Sequence, residues 1–297
     1  MRSVASRFCR AHFSIVVTTA IVIATLVGCN RRSPLPLDTV SIAPSSPMPP
    51  AAVGLFGISL APPALFGGTP GSGIAILTRQ APDGGVVVTL SSADPATATV
   101  PLTVTIPQGT DRADFPIATQ TVSADRQVSI NGAGLGASAS APLQVWAVLP
   151  TFFSWFSDPG EPLGKGGFGR LTPSTATITA AGSEGGVSIR IQGQGIDFWN
   201  LDFAPPRNSR LQIGRYEDAM RSAFRDAIHP GMDIGGRGVG CNTLSGRFEV
   251  REFILSVTQT GPPSSTTLSR FDATFEQHCD GVTPALRGEV RYTAGAR

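Results

Sequence analysis

Along residues 54–148, apolar and polar positions alternate in short runs with a period of two. The runs are Leu55–Leu60, Gly73–Leu77, Val86–Ser91, Leu102–Ile106, Ala113–Ala118, Gln127–Asn131 and Leu143–Val148. Turn formers separate them, notably Pro82-Asp83-Gly84-Gly85, Ala93-Asp94-Pro95, Pro107-Gln108-Gly109 and Asn131-Gly132. In one run Leu102, Val104 and Ile106 alternate with Thr103 and Thr105. That pattern buries one face of a strand and leaves the other in water. Strands at this spacing over about 95 residues predict an immunoglobulin-like β-sandwich.

Residues 149–297 carry a different pattern. An aromatic cluster, Thr151-Phe152-Phe153-Ser154-Trp155-Phe156, opens them, and strand-like runs follow at Val187–Ile191, 196–203, Phe248–Val257, Thr266–Glu276 and Ala285–Tyr292. The last three are spaced as a meander, with residues 260–263 (Thr-Gly-Pro-Pro) as a long hairpin turn. Phe271, Ala273 and Phe275 make one apolar face, with Asp272, Thr274 and Glu276 on the other. In the final run Arg287, Glu289 and Arg291 alternate with Leu286, Gly288, Val290 and Tyr292, so opposite charges can pair across strands. Tyr216–Ile228 fits a helix and a strand equally well and stops at His229-Pro230-Gly231. The expected fold class is all-β: a sandwich, then a second β-rich sandwich or barrel-like domain with at most one short helix.

The pattern before residue 54 is of another kind. Arg2, Arg7 and Arg10 precede an apolar run from Ser14 to Gly28, about 15 residues long. A charged start, a short apolar core and small residues at its end make a secretory signal peptide, and the run is shorter than the roughly 20 residues of a spanning helix. Residues 30–53 hold six prolines among serines and alanines and read as a tether without secondary structure. The expected segments are a leader at 1–28, a tether at 29–53, a sandwich at 54–148 and a terminal domain at 149–297.

Three stretches also resemble known bacterial sequences. Leu26-Val27-Gly28-Cys29 resembles a lipobox, which implies cleavage before Cys29 and a lipid on its thiol; a plain secretory peptide or an uncleaved helix is the alternative. Asn30 is not the aspartate that resembles an inner-membrane retention signal, which leans the expected location to the outer membrane, facing the periplasm or the surface. Residues 84–117, with GGVVVTLSSADPATATV followed by TVTIPQG, resemble a bacterial Ig-like repeat and imply a spacer or adhesion-type module without catalytic residues. Finally, GVGCNTLSGRF (238–248), RFDATFEQHCDG (270–281), PALRGEVRY (284–292), Trp155–Gly160 and Trp199–Pro205 are similar to a terminal module of exported bacterial proteins with no assigned activity.

Charge and cysteines narrow the function. Three of the 23 basic residues and none of the 21 acids lie in residues 1–28, leaving 20 against 21. No concentrated basic surface is legible, so nucleic acid is not an expected partner. The expected partners are the membrane, through the N-terminal lipid, and an envelope protein or glycan. With Cys9 in the leader and Cys29 lipidated, Cys241 and Cys279 remain and read as one disulfide, which would contribute about 4 kcal/mol; two separate buried thiols are the alternative. The disulfide position also matches the cysteines of the terminal module.

Motifs with possible chemistry are few. Gly164-Lys165-Gly166-Gly167-Phe168-Gly169 spells G-x-G-x-x-G, but Arg170-Leu171-Thr172-Pro173 cannot start the helix a dinucleotide site needs, so a flexible loop is expected. Cys241, Cys279, His229 and His278 lack the close ligand pairs of a structural zinc site. No G-x-S-x-G elbow is present, and Asp197, Asp202, Glu249 and Glu252 read as solvated strand charges rather than glycosidase carboxylates. Asp83, Asp94, Asp111, Asp114 and Asp125 read as turn caps rather than calcium ligands. The expectation is a non-enzymatic protein with no catalytic residues, metal or cofactor. The runner-up is a carbohydrate-binding module using Trp155, Phe198 and Trp199, and an uncharacterised hydrolase comes third.

Overall fold

The computed structural model describes residues 52–195, 197–258 and 265–296. Cys29, the leader, most of the tether and the hairpin turn at 260–263 lie outside the described residues.

Nine strands build the sandwich: β1 (Leu55–Ala61), β2 (Ala64–Phe66), β3 (Pro70–Leu77), β4 (Val86–Ser92), β5 (Ala98–Thr99), β6 (Thr103–Ile106), β7 (Arg112–Thr119), β8 (Arg126–Gly134) and β9 (Ala137–Trp146). They form two sheets, β1-β3-β7-β5 and β2-β9-β8-β4-β6, whose inner faces share one core including Leu77, Val88, Ile106, Phe115, Ile130 and Leu143. This is an immunoglobulin-like arrangement, and the first strand is split between the sheets, β2 pairing parallel to β9. Each of the seven alternating runs falls on one of these strands, although Leu102 and Val148, at the ends of two runs, lie outside β6 and β9 and are exposed. Asn131-Gly132, expected as a turn, instead lies inside β8 opposite β9. A Cβ at 132 would come within 2.7 Å of the end of the Ile58 side chain, which would have to shift to admit it. The hairpin turns three residues later, at Leu135-Gly136, where both residues have positive φ as a tight two-residue hairpin requires.

The second region is a single ten-stranded sheet that curls over its own core. Its strands are β10 (Phe152–Ser157), β11 (Phe168–Leu171), β12 (Thr177–Ser183), β13 (Gly186–Gln192), β14 (Phe198–Ala204), β15 (Gly214–Arg221), β16 (Gly231–Gly236), β17 (Leu244–Thr258), β18 (Ser265–Cys279) and β19 (Leu286–Thr293). Their spatial order is β11-β10-β19-β18-β17-β15-β16-β14-β13-β12. Phe153 on β10 meets Trp199 on β14 at 5.1 Å between ring centroids, and Trp155 meets Trp199 at 4.9 Å, so the two ends of the sheet face each other across the core. The fold is all-β. The ambiguous 216–228 segment is a strand to Arg221, then one 3₁₀ turn at Ser222–Phe224. Pairing of β15 with β17 decides this locally, because it satisfies the backbone that a partial helical pattern would have left to a poorly amphipathic helix.

One further expectation changes. In the glycine run 164–169, residues 164–167 form a hydrogen-bonded turn and Phe168-Gly169 open strand β11, where a flexible loop was expected. The Glu161 carboxylate, fully buried, accepts from Leu163 N at 2.9 Å, Gly164 N at 2.6 Å and Ser157 Oγ at 2.8 Å. Strand β11 follows directly, so the helix of a dinucleotide site is absent there. The sandwich and the curled sheet keep separate hydrophobic cores within one compact unit. Arg170 on β11 joins them with its side chain 3% exposed. It ion-pairs with Asp125 at 2.6 Å, donates to the Ala147 carbonyl at 2.6 Å, and lies 4.8 Å from the Phe152 ring centroid and 5.6 Å from that of Phe66. Burial pushes the Arg170 guanidinium below the ordinary arginine value, against the pull of Asp125.

Candidate functional site

The alternation in β13 and β14 sends Val187, Ile189, Ile191, Trp199, Leu201 and Phe203 into the core. The residues between them face outward. Register then sets them in rows across three strands. Ser188 lies beside Asp202, and Asp202 beside Asp233; Arg190 lies beside Asn200, and Asn200 beside Gly235; Gln192 lies beside Phe198. A groove of about 580 Å³ runs over this face, lined by Arg190, Phe198, Asn200, Asp202, Asp233 and the glycine-rich segment 235–240.

Its rim is held rigidly. Gly236 and Val239 exchange backbone hydrogen bonds of 2.9 Å, and Arg237 and Gly238 between them both have positive φ, a tight hairpin turn. Arg237 N donates to the Phe198 carbonyl at 2.9 Å. Its guanidinium pairs with Asp197 at 2.8 Å and lies 5.2 Å from the Trp155 ring. Gly236 sits on the Trp199 ring, where a Cβ would approach to 2.4 Å. One residue past the rim, Cys241 is bonded to Cys279, 38 residues along the chain, with the two Cα atoms 5.0 Å apart. The disulfide therefore pins the rim to β18.

The floor is secured from below as well. Strand β15 pairs with β16 only at Met220 and Arg221, leaving Asp233–Gly236 without a strand partner on that side. The buried Gln277 amide substitutes for one: its Oε1 accepts from Ile234 N at 2.9 Å and its Nε2 donates to Ile234 O at 2.8 Å. An unpaired backbone pair at this depth would cost about 1–3 kcal/mol per group.

Electrostatically the groove is mixed. Ser188 Oγ donates to Asp202 Oδ1, and Arg221 Nε donates to Asp233 Oδ2 at 3.1 Å. Asp202 and Asp233 nevertheless stand directly opposite each other, a destabilising arrangement for like charges. Among the described residues Arg190 has no ion-pair partner.

Of the proposed aromatic trio, the structure brings Phe198 to the groove and removes the other two from it. Trp155 is 4% exposed and Trp199 is fully buried, because both belong to the inward register of their strands. Phe198, one position out of phase with Trp199, is 38% exposed. The four carboxylates considered for glycoside chemistry lie apart in their pairings: Asp197 with Arg237, Asp202 with Ser188, Glu249 with Arg215 at 3.5 Å and Glu252 with Arg270 at 3.3 Å. His278 uses Nδ1 on the Thr283 carbonyl at 2.8 Å and Nε2 on Glu276 at 3.4 Å, and His229 lies 2.9 Å from Asp226; among the described residues neither is hydrogen-bonded to a serine. Ser188, Arg190, Asn200, Asp233 and the 235–240 rim were not singled out from the sequence. The polar half of the alternation in VSIRIQ and FWNLDF marked the right positions, but nothing local distinguished them from ordinary strand surface. Compared with models of known families and with curated proteins, the chain matches none.

Proposed function

We propose that the chain is a non-enzymatic, lipid-anchored protein of the bacterial cell envelope, seated by Cys29 in the outer membrane, in which the immunoglobulin-like sandwich presents a terminal ligand-binding domain. The observation that carries this reading is the groove on β13, β14 and β16: a concave face with one exposed aromatic, polar side chains from three strands and a stapled rim. The Arg170 joint adds to it, because a presenting module is useful when it fixes the direction in which the terminal groove points. The anchor rests on the leader pattern and the residues ending at Cys29.

Two measurements test the proposal. Cys29→Ala should abolish lipid labelling and move the full chain from the membrane fraction to the soluble fraction; a variant still labelled refutes the anchor. Full chain carrying Cys29→Ala should co-sediment with washed cell envelopes, and Asn200→Ala should release it. Absence of sedimentation refutes the binding role.

A further inference from the structure

We infer that the ligand of the β13–β14–β16 groove is a neutral saccharide, an assignment that rests on the groove being the binding site. Charge decides the first part. The lining holds Arg190, Asp202 and Asp233, and Arg221, outside it, pairs with Asp233 at 3.1 Å, so two guanidiniums offset the two carboxylates. An anionic ligand meets two carboxylates there, and a cationic one meets the Arg190 guanidinium and an Asp233 already paired with Arg221. A neutral polyhydroxylated ligand satisfies both signs: Asp202 Oδ2 and Asp233 accept from hydroxyls, while Arg190 and Asn200 donate. Two carboxylates set opposite each other in register suit the neighbouring hydroxyls of one sugar ring, and those hydroxyls relieve the like-charge opposition.

Strand pairing decides the second part. β13 is bonded to β12 and β14, and β14 to β13 and β16. The edge of β16 that lacks a strand partner is taken up by the Gln277 amide at Ile234 and by Val239 at Gly236, so an extended peptide finds no open strand edge there for main-chain pairing. Recognition falls to side chains, and the exposed Phe198 ring supplies an apolar face for the C–H side of a sugar. The volume, about 580 Å³, lies within the roughly 300–1,000 Å³ of small-ligand sites. The hairpin, the disulfide and Gln277 fix the rim and floor before any ligand arrives, which lowers the ordering cost of binding.

The test is titration calorimetry on the full chain carrying Cys29→Ala. The neutral probes are maltotetraose, cellotetraose and chitotetraose, with tetragalacturonate as the anionic contrast. At least one neutral probe should bind, tetragalacturonate should bind more weakly than that probe, and Phe198→Ala and Asn200→Ala should each weaken binding about tenfold. Phe198→Tyr should retain it, separating ring stacking from a general loss of fold, and Arg190→Gln gives an independent arm because Arg190 is exposed. Each variant's melting curve should match that of the parent chain. No neutral probe binding at millimolar concentration, preference for tetragalacturonate, or binding indifferent to both alanine variants overturns the assignment. If Asn200→Ala still releases the protein from envelopes while no saccharide binds, the saccharide is wrong and the binding role stands.

Discussion

The outer face of the curled sheet has two halves built from the same alternation, and they treat charge in opposite ways. On β17, β18 and β19 acids meet arginines across the strands. Glu276 stands opposite Arg287 and Asp272 opposite Arg291, at 3.0 Å in each case. Arg251 bridges Asp272 and Glu289 at 2.5 and 2.6 Å, Arg247 adds a second bond to Glu276 at 3.1 Å, and Arg287 reaches Asp158 at 2.8 Å. Arginines cover Asp272 so fully that it is buried on a nominally exposed face. On β13, β14 and β16 an acid stands opposite an acid, and Arg190 stands opposite Asn200. One half satisfies itself. The other leaves polar groups oriented toward a cavity. The difference lies in cross-strand pairing rather than in composition, and pairing is what separates a solvated surface from a site.

The contrast can be broken most severely beneath the groove. Trp199→Ala removes a fully buried ring that packs on Phe153, Trp155 and Gly236, and should cost about 3–5 kcal/mol in chemical denaturation. Phe198→Ala, one residue away on the outer side, should stay within about 0.5 kcal/mol of the parent chain. Equal losses for the two would mean that Phe198 is core and the groove has no aromatic.

An intermediate effect compares the two halves directly. Asp272→Asn leaves Arg251 and Arg291 facing a neutral amide and should cost about 2 kcal/mol. Asp202→Asn should cost under about 0.5 kcal/mol, or stabilise the chain, because it removes a like-charge opposition. A larger loss at Asp202 than at Asp272 would reverse the assignment of surface and site.

The smallest effect concerns acid. Backbone bonds from His229, then the His229 side chain and Ile228 N, hold the Asp226 carboxyl down from its ordinary value of 3.8 to about 2. Because the folded value is depressed, the stabilisation is complete above about pH 4 and disappears as pH falls through 2. The ladder half responds in the same direction. Burial works to raise the Glu276 carboxyl, but bonds from Arg287 and His278 hold it below its ordinary 4.5. Amide protection at Ile228 and His229, measured relative to the intrinsic exchange rate at each pH, should therefore fall between pH 4 and pH 2, and Asp226→Asn should show that lowered protection already at pH 5.

Much of this was legible in the amino-acid order. The seven sandwich runs, the inward face of Phe271, Ala273 and Phe275, the charge ladder of the last strand and the cysteine pair all follow from local alternation and composition. The strand at Gly214–Arg221 was only half legible, since its helical and extended patterns balance until β17 supplies a partner. The ordered turn at 164–167 was not legible, because its cause is a buried Glu161 whose burial no neighbouring residue announces.

Periodicity assigns each side chain to one of two faces, and for β13 and β14 that was enough to separate Trp199 from Phe198. It cannot say which strands adjoin. Asp233 reaches Asp202 because β16 inserts beside β14 while β15, between them in sequence, goes to β16's other side. The rim reaches the groove because a disulfide and a glutamine amide draw it there across about 40 residues of chain. Alternation is a property of neighbours along the chain, so the residues themselves carry it. A site assembled from three strands depends on long-range pairing, and only the closed sheet settles that.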